Sequence, residues 1–127
     1  MKLGKIMDAN FDRVLNKLLM EPVSLKSAIN IKKTLELLRK EYAEYEQERK
    51  ILLEKYSIKN EDGSMRVNSD GNIAVDENNT SIFMQEISCL LNKEIQIDKI
   101  DLRNISENSS NLYTAEEIFL LDDILLY

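Results

Sequence analysis

The 127-residue sequence predicts a mainly helical α+β domain, and three observations point to it. Apolar residues recur at spacings of three and four in four stretches, which is the signature of amphipathic helices. No Gly or Pro interrupts the chain from about 24 to 56, so one of those helices is long. An Asp-Gly step lies between two short alternating segments, which predicts a β-hairpin over about 64–75. The length suits a single domain, 1–127, because a chain this short does not divide into two independent cores.

The elements follow in order. Lys2 to Met7 reads as a short edge strand. Asp8 is placed to cap a first helix over about 8–20, whose stripe is Phe11, Val14, Leu15, Leu18 and Leu19. Pro22 ends it, since proline is tolerated at a helix start but not within one. The long helix can be written in heptads, with Ala28, Leu35, Tyr42, Arg49 and Tyr56 at a and Ile31, Leu38, Tyr45 and Leu52 at d. That pattern is coiled-coil-like or one arm of a helical hairpin. At 1.5 Å per residue it spans roughly 50 Å, so its far end is expected to project. Met65 and Val67, then Ile73 and Val75, flank Asp70-Gly71 and form the expected hairpin. A third helix runs from about 79 to 92, with its buried face drawn from Ile82, Phe83, Ile87, Leu90 and Leu91. A strand is expected over about 94–103, bent near Asp98-Lys99 where the apolar parity breaks. Thr114-Ala115-Glu116-Glu117 is a capping-box pattern that opens a fourth helix. No internal repeat is expected, and the one biased tract is Asn/Ser-rich, at 104–111.

Composition excludes several chemistries. With no histidine there is no imidazole base and no His-ligated metal. One cysteine makes neither an internal disulfide nor a zinc cluster and suits a reducing cytosol, and Cys89 reads as a small buried hydrophobe. Three glycines do not furnish a phosphate loop. No apolar run reaches the roughly 20 residues of a membrane span, and MKLGKIMDAN is no signal peptide. No cofactor is expected. Net charge is −6, split between 12 basic and 9 acidic residues over 1–58 and 5 basic and 14 acidic over 59–127. Direct nucleic-acid binding is therefore not expected, and Lys32-Lys33 and Arg39-Lys40 are the only basic patches.

Few constellations offer chemistry. Neighbouring acids such as Glu116-Glu117 and Asp122-Asp123 diverge by about 100° on a helix, so they read as solvated faces. Asn68, Asp70 and Asn72 alternate like calcium ligands but lack the closing Glu, and the hairpin turn explains them. Two surfaces remain for a partner. One is the long-helix seam, where Tyr42, Tyr45, Arg49 and Tyr56 serve either core packing or partner binding. The other is the acidic half, where Asp98, Asp101, Glu107, Glu116, Glu117, Asp122 and Asp123 are either solubilising or an imitation of a phosphate backbone.

The order of features, with Glu48–Gly63 (ERKILLEKYSIKNEDG) and Leu91–Leu102 (LNKEIQIDKIDL) as its clearest pieces, resembles small, largely uncharacterised proteins of bacteriophages and prophages of low-GC Gram-positive bacteria. The resemblance contains no catalytic motif. It implies a viral setting in a bacterial host cytoplasm. The expected function is a non-enzymatic accessory protein that binds a host or phage protein, such as a nucleic-acid-binding effector, most specifically an anti-CRISPR-like inhibitor of a bacterial defence system. The alternative is a virion, tail-assembly or scaffold component that self-associates through the long helix as a homo-oligomer.

Overall fold

The computed structural model describes residues 1–101 and 112–126. Four α-helices dominate the described residues: α1 (Ala9–Leu19), α2 (Leu25–Tyr56), α3 (Thr80–Leu91) and α4 (Ala115–Leu121). Local chemistry sets their ends. The Asp8 carboxylate accepts from the Asn10 N–H at the start of α1, and the Ser24 hydroxyl accepts from the Ser27 N–H at the start of α2. Thr114 and Glu117 complete a reciprocal capping box at α4. No described helix is long and apolar enough to cross a membrane.

The main core forms where α1, the first half of α2, α4 and the segment around Ile100 meet. Phe11, Val14, Leu18, Ile31, Leu38 and Leu121 are at its centre. A smaller cluster of Leu3, Tyr45 and Ile95 fixes the middle of α2. The far half of α2 is covered by α3, which folds back along it. Phe83 meets Tyr56 edge-on at 6.3 Å, and Leu90 packs toward Tyr45. The far end of α2 is thus one arm of a helical hairpin and does not project bare.

The expected α+β class is corrected by the structure: the described residues are mainly helical, and the hairpin at 64–75 is not formed. Of the strand expected over 94–103 only Ile100 and Asp101 are in a strand, residues 102 and 103 lying outside the described part. Among the described residues the only strand pairing is two residues long, Ile100 and Asp101 (β1) lying parallel to Leu125 and Leu126 (β2). From Glu94 to Lys99 the backbone is extended but finds almost no ladder. Ile95 N–H donates to the Met1 carbonyl and the Met1 ammonium donates to the Ile95 carbonyl, while Leu3 N–H donates to the carbonyl of Lys93 just before the segment. The expected N-terminal edge strand is likewise a 3-10 turn, Leu3–Met7, with a single bridge from Lys2 to Glu94.

In place of a hairpin, the chain from 56 to 79 closes a ring of three arcs. Ile58 N–H donates to the Ala74 carbonyl at 2.9 Å, Ala74 N–H to Arg66 at 2.8 Å, and Arg66 N–H to Ile58 at 2.8 Å. The three bonded positions, 58, 66 and 74, step by eight residues, and so does the sequence: Asn60-Glu61-Asp62-Gly63, Asn68-Ser69-Asp70-Gly71, Asp76-Glu77-Asn78-Asn79. The isolated bridges obey the same step, Lys59 with Met65, Val67 with Ile73, and Val75 with Ser57. The expectation of no internal repeat is therefore corrected as well. Each arc is too short for a ladder because its two edges serve different neighbours. Gly63 and Gly71 hold φ of 86° and 84°, which reverses the chain. Asn79 stands at the third such position with φ −109°, and the chain turns into α3 instead of closing a fourth arc.

The expected heptad phase also shifts. Ala28, Tyr42 and Arg49 of the a row are exposed, while the buried stripe of α2 runs Ser27, Ile31, Thr34, Leu38, Tyr45, Leu53 and Tyr56. Ser27 and Thr34 are small enough to lie against neighbouring elements, so polar residues occupy core positions that a hydrophobic template assigns elsewhere.

Candidate functional site

Phe11, Leu15 and Leu19 recur every four residues on one flank of α1, and Leu35, Leu38 and Tyr42 line the facing flank of α2. Ile6 and Met7, from the preceding 3-10 turn, close one end. Between them lies an open cleft of about 540 Å³. Its floor is apolar, and Met7 and Tyr42 stand at its mouth, Tyr42 being 44% exposed. Its rim is charged. Asp8 is engaged as the α1 cap, Asp12 accepts only a long bond from Asn16 at 3.5 Å, and Arg39 forms no ion pair among the described residues.

A second hollow, about 310 Å³, lies beside Tyr45 between Glu41, Glu44, Glu48, Leu90 and Lys93. It already holds its own counter-ion. Lys93 reaches Glu41 at 2.8 Å and Glu44 at 3.8 Å, and the Glu41 carboxylate raises the Lys93 pKa above its usual value. Among the described residues no group of three His, Cys, Asp or Glu side chains could hold a metal.

The sequence-derived seam residues do not share one surface. Tyr42 faces the cleft. Tyr45 is 8% exposed in the small cluster with Leu3 and Ile95, and burial pushes its phenol pKa up. Arg49 pairs with Glu46 at 3.7 Å. Tyr56 is 8% exposed beneath Phe83. Of the expected seam, Tyr42 alone lines the cleft, so the four residues do not form one continuous face. The period of α2 turns Tyr45 and Tyr56 inward and Arg49 out.

The acidic set disperses too. Glu117 is buried, with Lys17 at 3.1 Å and Arg13 at 3.5 Å. The Thr114 N–H and then Lys17 hold its carboxyl below the usual range. Asp123 pairs with Lys5 at 2.7 Å, and that contact lowers its pKa. Asp98, Glu116 and Asp122 are exposed. Asp101 contributes backbone to β1, its side chain lying outside the described part, as do Glu107 and the Asn/Ser tract. Two of the expected phosphate-imitating charges are therefore neutralised within the fold. Cys89, expected to be buried, is exposed.

Sequence reasoning missed Met7, Asp12 and Arg39 as cleft residues. The available signal was excess: α1 with Ile6 and Met7 carries more apolar positions than one helix contact consumes.

No protein-family model, no curated protein and no solved structure matches this chain.

Proposed function

We propose that this chain is a non-enzymatic binding protein whose α1–α2 cleft receives a segment of a partner protein. The most specific form is a phage accessory protein that inhibits a bacterial defence system from within the host cytoplasm. The observation behind this reading is the cleft itself. An apolar floor with an aromatic and a methionine at its mouth, ringed by an unneutralised arginine and an aspartate, suits an amphipathic segment better than a small polar ligand. Tyr and Arg at such an edge are the residue types that dominate interface energetics.

The test is co-purification from phage-infected and uninfected host lysates using wild type, Tyr42→Asp and Arg39→Glu, with Phe119→Asp as an exposed control away from the cleft. A partner retained by wild type and the control but released by both cleft variants supports the reading. Equal retention by all four proteins, or retention of nothing, contradicts it.

A further inference from the structure

The outer face of α2, around the helix from the cleft, is a separate feature. Lys26, Lys33 and Lys40 follow one another at seven-residue steps, all exposed, and none forms an ion pair among the described residues. Leu25 and Ile29 lie on the same face, 78% and 44% exposed. At 100° per residue these five side chains fall within about 100° of arc, along roughly 25 Å of helix. Glu36, the one acid in that arc, is engaged by Lys32 at 3.5 Å. The row is a local concentration of positive charge on a chain of net −6, with none of the chain's own described carboxylates paired to it.

We propose that this face docks an acidic amphipathic helix of a partner protein, with carboxylates at seven-residue spacing over the lysine row and an apolar residue over Leu25 and Ile29. Charge complementarity identifies the occupant's sign, and the straight seven-residue row identifies its form, since a helix repeats one face at that interval. The two exposed aliphatic residues favour protein over nucleic acid, because a phosphate backbone offers them nothing to cover. Three lysines about 10 Å apart on a convex helix also match few successive phosphates. This face does not include the cleft, so the two sites are tested separately.

The experiment uses the full chain and three labelled probes in fluorescence anisotropy. The first is a helical peptide of about 20 residues with Glu at every seventh position and Leu beside each. The second is its scrambled isomer of identical composition, and the third a 20-base-pair DNA duplex. The ordered peptide is expected to bind more tightly than the scrambled one. Lys33→Glu/Lys40→Glu weakens it by about tenfold or more, Ile29→Gln weakens it less, and Tyr42→Asp leaves it unchanged. All four positions are exposed, and circular dichroism confirms that each variant is folded. No binding of the ordered peptide, equal binding of the scrambled isomer, indifference to the lysine reversals, or tighter binding of the duplex would each overturn the proposal.

Discussion

The Tyr113 hydroxyl donates to the Glu21 carboxylate at 2.9 Å, joining the residue before the α4 cap to the chain just past α1. Lys17 lies over the same ring, 4.5 Å from its centroid, and donates to the Leu112 carbonyl and to both Glu117 oxygens. Four polar side chains from distant parts of the sequence thus pin α4 to α1 at the edge of the main core. Buried carboxylates of this kind are tolerated only when hydrogen-bonded and paired, and Glu21 and Glu117 are both 6% exposed.

This joint makes the protein acid-sensitive in a defined window. Glu117 and Asp123 have folded pKa values below the ordinary carboxylate value. Their contribution is full above the unfolded value of about 4 and is lost as pH falls through the lowered folded value. Urea midpoints are expected to drop below pH 4.5, and Lys17→Gln is expected to shrink that drop by removing a cause of the Glu117 shift. A midpoint independent of pH between 6 and 3 would contradict this.

At the alkaline end the sign reverses. Burial first, and then the Glu21 carboxylate, push the Tyr113 pKa well above that of a free phenol. The folded state therefore keeps a proton that the unfolded chain releases, and stability falls as pH rises above about 10. Spectrophotometric titration should show Tyr113 ionising only as the protein unfolds. Substitution by Phe should remove that part of the alkaline loss.

Tyr45 and Tyr42, three residues apart, are expected to differ sharply. Tyr45→Ala empties a site between Leu3 and Ile95 and costs about 3–5 kcal/mol. Tyr42→Ala, at the cleft mouth, costs less than about 1 kcal/mol. Chemical denaturation of the two variants measures both.

The three-arc ring behaves as one unit if its hydrogen bonds close on themselves. Gly71→Ala forces a left-handed backbone on alanine, with no atom within 4 Å of the added carbon, so backbone strain of about 1–2 kcal/mol is the whole effect. Hydrogen exchange should then quicken at Ile58, Arg66 and Ala74 together. Acceleration at Ala74 alone would show that the arcs open independently.

Much of this was legible in the sequence, and the failures have physical causes. The extent of α2 followed from a run unbroken by Gly or Pro, and the α4 cap followed from Thr114 and Glu117. The phase of α2 did not, because Ser27 and Thr34 fill core positions that the heptad template assigns to their neighbours Ala28 and Leu35. The period-eight repeat was visible in Asp62-Gly63 and Asp70-Gly71. Its third copy, Asp76 to Asn79, lacks the glycine and leads into a helix, so two copies passed for one hairpin. The cleft depends on how α1 and α2 lie against each other, and no local pattern encodes that distance. Glu117 as a cap was readable, but its partner Lys17 is 100 residues away.

Site-specific photo-crosslinking probes cleft docking most directly. A benzophenone side chain replaces Tyr42 in one protein and Phe119, which is 77% exposed, in another, and both are irradiated in host cells. Docking in the cleft predicts one discrete crosslinked species from position 42, abolished by Arg39→Glu, and none from position 119. The same species from both positions, or none from position 42, would contradict it.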